Sequence, residues 1–492
     1  MQPQDDSAEP GLASPPTSAA TLVPREALAG RIDSFLLDRM DQGRPAFPVR
    51  ELAPRLTWNR LDIAIKLYYL EQSELRMSIF AEELYDAHIH AFSLGDFREP
   101  GNDVKTDPAS FRSAFRTIAE SVRIDGFDPD RSLIPVASDG SFINGGHRAA
   151  CALFLNRRVH VVETGLPPVR YDHRFFRSRG MDDDLLEAAI VKYMERSPRS
   201  RLALVWPGAG DARQIEATLG PLIYRKEFRL TTNGAASLVD FLRDEVKATD
   251  IEPSRFRPDR RHLVLAFDQD DPAPFRSSDA MPEAPERRPD GVHLLSSHER
   301  SLDLARLLLN ERSVRFLNAA SPKRFASTSR LTADFRAALE RSEWSTESAV
   351  LDSGMLLAVS GIHEARTADF MSPLALADAA ASASVVQQTC GAEIKEILQD
   401  PRRHLHHGGL KFLSVSEAVE TARSRRSPEA LDHLRHLASL RQQDTSRGAG
   451  RSVLYRLRLY HSKLRRSAIH VIGRLGLRDQ AKAAYRALRR TG

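Results

Sequence analysis

The sequence predicts a multidomain protein of mixed α/β and α+β class, from three observations. The chain has 492 residues, more than one hydrophobic core ordinarily serves, so about three domains are expected. Short apolar runs that read as strands alternate with stretches whose apolar residues recur at 3-4 spacing, the helical period. Polar, proline-bearing segments separate these runs, and no repeat of solenoid period is present.

Composition narrows the class. A hydrophobic fraction of 41% and a charged fraction of 28% are ordinary for a globular chain, and no apolar run is long enough to span a bilayer. The sequence opens with Gln, two Asp and several Pro, where a secretory signal would carry basic residues and an apolar block, so secretion is not expected. Cys151 and Cys390 are too few for a disulfide framework or a thiolate metal site, and they suit the reducing cytoplasm, the expected compartment. The segment Arg451 to Gly492 holds twelve Lys or Arg and one Asp, a net +11; subtracted from the chain's +5, this leaves −6 for the rest. The basic character belongs to the tail.

Residues 1–26 contain five Pro and no apolar periodicity, a disordered lead. Residues 27–104 read as a helical segment to about Ser93, with Thr57 capping a helix that carries Leu61, Ala64, Ile65 and Tyr68 on one face. A domain over 105–195 begins at Asp107-Pro108, which opens a helix bearing Phe111, Phe115 and Val122 and ended by Gly126. Leu133 to Val136 reads as a strand, Asp139-Gly140 as a tight turn, and Ser141 to Asn144 as the returning strand. A helix from His147 to Leu155 closes at Asn156, and Val159 to Glu163 is the strand leaving it.

Residues 200–330 form a middle α/β unit, with strands at Leu202 to Val205 and His262 to Phe267 and a helix from Ser301 to Asn310. Residues 331–442 form a further mixed unit, in which the Ala-rich stretch Leu374 to Ala383 reads as helical. Residues 443–492 read as a basic amphipathic tail, with Leu454, Leu457, Leu464, Ala468 and Val471 on one face. Such a tail suits nucleic acid, an anionic membrane that would make the protein peripheral, or the acidic body of its own chain.

The first site reading is Asn144-Gly145-Gly146-His147-Arg148. A helix N-terminus offers unpaired N–H groups and the positive end of the macrodipole to an anion. Gly145 and Gly146 remove the Cβ atoms that would hold a phosphate away, Arg148 can pair with it bidentately, and His147 adds a donor. The alternative is a sharp strand-to-helix turn with Arg148 solvated and His147 packed. The string Asp139 to Ala150 resembles the ParB/sulfiredoxin-like superfamily, over roughly residues 105 to 165. That resemblance implies nucleotide binding, ATP or CTP, at Asn144, Gly145, Gly146, His147 and Arg148. Gly146 stands where sulfiredoxins place their catalytic Cys, and no second motif Arg or helix-turn-helix follows Glu163. Neither sulfiredoxin chemistry nor a partition role is therefore expected.

The second is Val350 to Val359, a strand running through a small-residue turn into a helix, followed by Arg366-Thr367-Ala368-Asp369-Phe370. With Gly409 to Ser414 and the Arg-rich helix leading to Asp432, it resembles the nucleotidyltransferase fold. In that chemistry clustered carboxylates hold two Mg2+ ions against a triphosphate. Thr367 replaces the first acid of the pair, leaving Asp369 and Asp432 as catalytic candidates in a domain of impaired activity; the alternative is an inactive domain that keeps only its packing.

Weaker signals receive structural readings. His404, His406 and His407 read as a loop cluster without a metal, Gly208 to Asp211 as a turn lacking the Walker lysine, and Ser296 to Glu299 as the cap of the helix near Ser301. The expected function is nucleotide binding accessory to cell-surface polysaccharide synthesis. Any activity would be that of a nucleotide-dependent transferase or NTPase, and a protein partner is expected. The alternative is a non-enzymatic DNA-associated or scaffold protein acting through its tail.

Overall fold

A computed structural model describes residues 19–74, 78–98, 105–243, 260–269, 291–376, 382–388, 393–425 and 428–441. The lead up to residue 18, residues 377–381 of the Ala-rich stretch and the basic tail lie outside the described residues. Among the described residues the chain is mixed α/β, with sixteen α-helices and three sheets, and no helix is long and apolar enough to cross a membrane.

The first elements in chain order are β1 (Thr21–Pro24), α1 (Ser34–Leu37), β2 (Ala46–Leu52), α2 (Leu61–Glu74), α3 (Ile79–Ser93), α4 (Pro108–Asp125), β3 (Ile134–Val136), α5 (Gly146–Phe154) and β4 (Val159–Glu163). Next come α6 (His173–Ser178), α7 (Asp183–Arg196), β5 (Ser200–Val205), α8 (Ala212–Thr218), β6 (Leu222–Arg229), α9 (Thr232–Phe241), β7 (Arg261–Asp268), β8 (Val292–Leu294), α10 (His298–Leu308) and α11 (Glu311–Ala319). The last are α12 (Ala326–Arg341), β9 (Val350–Leu351), α13 (Ser353–Val359), β10 (Ala368–Met371), β11 (Val385–Gln387), α14 (Ile394–Gln399), β12 (His404–His407), β13 (Leu410–Leu413), α15 (Val415–Ser424) and α16 (Pro428–Arg441).

These elements form two compact units whose segments alternate along the sequence. Among the described residues, the first takes 19–55 and 117–169. Its sheet has the order β1-β2-β4-β3, with β3 and β4 parallel and the other pairs antiparallel. The β3 and β4 strands are parallel because α5 carries the chain back between them, the crossover that parallel pairing requires. Leu28, Ile32, Phe47, Val49, Leu133 and Val162 form the core on one side of this sheet.

Several expected boundaries hold. Asp107 accepts from the Ser110 N–H at 2.8 Å at the start of α4, Gly126 at φ +75° stops that helix, and Asn156 at φ +50° follows α5. Two expectations change. Residues 27–60 are not purely helical: β2 lies there, and β1 lies within the expected lead, because Phe47 and Val49 bury their side chains on a sheet that residues 134–163 complete. The returning strand at Ser141 to Asn144 reduces to a single bridge, Val136 to Phe142, because the chain turns at once into α5.

The second unit takes the described residues within 56–116, 170–269 and 291–441. It contains an antiparallel sheet of order β6-β7-β5-β8 and a mixed sheet of order β11-β10-β9-β13-β12. In the mixed sheet β9 runs antiparallel to β10 and parallel to β13. Helix α2 starts at Leu61, the Thr57 hydroxyl is buried without a hydrogen-bond partner and so does not cap it, and Tyr69 on α2 stacks on Tyr85 of α3 at 4.6 Å. The histidine run His404–His407 is the edge strand β12, not a loop. Gly408 and Gly409, at φ +55° and +72°, turn it into β13, an arrangement suited to a tight hairpin.

Candidate functional site

The glycine pair lies at the opening of α5. Gly145, at φ +75°, is the residue before the helix, and Gly146 and Arg148 are in its first turn. A Cβ on Gly145 would stand 3.2 Å from Arg148 Nη2 and 3.3 Å from Ile134, so this glycine is required by conformation and by space. Asn144 Oδ1 accepts from the Gly145 N–H at 2.7 Å, while the Asn144 amide donates to Asp33. The Gly145 amide is thereby committed within the turn, and its contribution to an anion site is shape.

Arg148 is largely buried and donates to the Leu133 carbonyl at 3.4 Å. Burial lowers its pKa, offset in part by the Asp33 charge. No carboxylate forms an ion pair with it among the described residues. Cys151, one turn further along α5, is fully buried, and burial pushes its thiol up to about 12, which removes it as a nucleophile at neutral pH.

The second predicted constellation folds as a strand, a turn and a helix, β9 to α13, with β10 alongside. Asp369 on β10 lies next to Asp352, whose N–H donates to the Asp369 carbonyl at 2.8 Å. Each carboxylate is engaged separately: Asp369 accepts from Thr367 Oγ1 at 2.7 Å and Gln388 Nε2 at 3.0 Å, and buried Asp352 pairs with Arg425. Asp432, on the surface of α16, pairs with Arg435 at 3.3 Å. The structure brings Asn144 to Arg148 together in the first unit; Asp369 and Asp432 belong to the second and have separate partners.

The described residues contain one convergent group of three metal-ligating side chains, His363, Glu429 and His433, with ligand atoms within 4.8 Å of one another. Glu429 and His433 are one turn apart on α16, hence on one face. Two imidazoles and a carboxylate suit a transition ion such as zinc better than magnesium, which prefers oxygen ligands.

A further polar constellation, of which the sequence singled out only His404 and His406, lies among the described residues. It lines a cavity of about 530 Å³ in the second unit, bordered by α2, α7, α10, the end of α14 and strands β12 and β13. An alternating chain of charge runs along its wall. Arg196 and Lys192 bind Glu71 at 2.6 and 2.8 Å, and Lys192 also reaches Glu195 at 2.6 Å. Arg306 binds Glu195 at 3.2 Å, and Glu347 receives Lys411 at 2.8 Å and His406 at 3.0 Å. Burial alone would raise the Glu347 carboxyl, but Lys411, His406 and Arg306 hold it well below the usual range. Burial holds His404, which donates from Nδ1 to the Ile397 carbonyl at 2.7 Å, in its neutral form. The sequence signal was Lys411 itself, a lysine inside the apolar run Leu410 to Leu413.

No protein-family model, curated protein or solved structure matches this chain.

Proposed function

We propose that the chain is a nucleotide-binding protein of ParB/sulfiredoxin-like type, holding the phosphates of ATP or CTP at Asn144, Gly146, His147 and Arg148, with Gly145 shaping the cradle. The observation that carries this reading is Arg148. A largely buried guanidinium whose one hydrogen bond is a long contact to a carbonyl, and which has no carboxylate partner, is electrostatically incomplete. It stands in the first turn of α5, where the helix dipole also favours negative charge. A phosphate would complete both.

The segment from β9 to Asp432 supplies the second part of the reading, a nucleotidyltransferase-like domain of impaired activity. Asp369 lacks the neighbouring motif acid that two-metal transfer requires, since Thr367 occupies that position and hydrogen-bonds to it. Magnesium would then arrive with the nucleotide. This pairing of domains fits a role accessory to cell-surface polysaccharide synthesis.

Calorimetric titration of the full chain with ATP and with CTP, each with magnesium, tests the reading. Saturable binding of one of them, abolished in Arg148→Ala, is expected. Absence of heat with both, or unchanged binding by the variant, would refute it.

A further inference from the structure

The group His363, Glu429 and His433 lies in the second unit and has no part in the nucleotide reading. It draws on two elements: Glu429 and His433 stand on α16, and His363 lies in the loop that leaves α13. What packs beside each residue fixes its place. Gly361, at φ +72°, turns the chain out of α13, and the Ile362 and His363 amides both donate to the Leu357 carbonyl, at 3.0 and 3.4 Å. The Ile362 side chain packs against the core of the mixed sheet, so His363 is held at the margin of that core. On α16, Leu434 and Leu437 are buried in the same core. With those two facing inward, Glu429 and His433 fall together along one edge of the buried face, on the side of His363.

The three side chains are otherwise uncommitted. Among the described residues none of them makes a hydrogen bond or an ion pair, and the two imidazole rings lie 28° from parallel with centroids 5.2 Å apart. The neighbouring acids are engaged elsewhere, Asp432 with Arg435 and Glu364 with the Ser327 hydroxyl at 2.6 Å.

Two imidazole nitrogens and one carboxylate oxygen form a donor set that zinc takes as three protein ligands, with a fourth position left for water or another ligand. The ligand atoms around a tetrahedral zinc ion stand about 3.4 Å apart. A group whose ligand atoms already lie within 4.8 Å of one another closes on the ion by side-chain rotation. His363 and Glu429 are exposed, so that rotation breaks no core packing.

We infer that His363, Glu429 and His433 bind one zinc ion, with water in the fourth position on the exposed side. The ion ties α16 to the loop leaving α13.

Untagged full-length protein, stripped with a chelator and free of nucleotide, is titrated with zinc chloride. Calorimetry should register one saturable site, the melting temperature should rise with zinc, and excess magnesium should not compete. Cobalt(II) in place of zinc should give the intense visible bands of a four-coordinate ion. His363→Ala and Glu429→Gln each remove one ligand at an exposed position; both should weaken zinc binding about a hundredfold or more and leave the circular dichroism spectrum unchanged. Glu364→Gln, beside His363, and Arg148→Ala, in the first unit, should bind zinc as the wild type does. The inference fails if zinc gives no saturable binding, if cobalt shows only the weak bands of a six-coordinate ion, if folded His363→Ala or Glu429→Gln binds undiminished, or if Glu364→Gln loses as much as they do.

Discussion

Lys411 Nζ lies 2.8 Å from Glu347 Oε2 and 2.9 Å from the Leu398 carbonyl, on a strand whose every residue is buried. The ammonium is the principal counter-charge of a carboxylate that burial would otherwise neutralise. Removing one partner of such a pair leaves an uncompensated charge, which costs more than the pair itself contributes. Lys411→Met should therefore destabilise the protein by about 3 kcal/mol in urea denaturation. The double variant with Glu347→Leu should recover part of that loss; a double variant less stable than the single would contradict the pairing.

Arg148 should show the opposite sign. A guanidinium withdrawn from water without a carboxylate partner is a cost to the folded state, so Arg148→Met should raise stability by about 1 kcal/mol while removing nucleotide binding. Equilibrium unfolding without nucleotide gives the first quantity. A loss of stability would mean that Arg148 serves packing rather than an anion.

Gly145→Ala places a side chain in left-handed backbone, 3.2 Å from Arg148 Nη2. The strain should cost about 1–2 kcal/mol and displace Arg148, so the variant should lose both melting temperature and nucleotide affinity. Gly126→Ala, at a similar φ of +75° with open space around it, should lose melting temperature alone.

Acid should destabilise the second unit through its buried histidines. Burial pushes His262, packed between Trp206 and Phe228, and His407, beside Phe316, down to about 4 from the ordinary 6.5. In the unfolded chain these rings protonate near 6.5, in the folded one only near 4. Their contribution is therefore complete above the unfolded value and is lost as pH falls from about 6.5 towards about 4. His88 and His404 shift in the same direction. Melting temperatures across this window should fall with acidification, and His262→Phe should flatten the slope.

What the sequence determined by itself was local. The ends of α4 and α5, the strand Val159–Glu163 and the caps at Asp107 and Ser297 follow from turn chemistry and apolar spacing within a few residues, so they are legible without the fold. The turn into α5 at Gly145-Gly146 was legible for the same reason, and the structure adds that the Gly145 amide donates to Asn144. The charged cavity was decided only by tertiary structure. Its ion pairs join residues as distant as Glu71 and Arg196, 125 positions apart, and on an amphipathic helix Glu71, Lys192, Glu195, Arg196 and Arg306 each read as solvated charges. Burial is set by what packs against a face, and α2, α7, α10 and the β12–β13 hairpin meet only once the chain has folded. The same physics hid β1 and β2, short segments of which β2 becomes a strand because β4, more than 100 residues further on, supplies its hydrogen bonds, and β1 because it then pairs with β2.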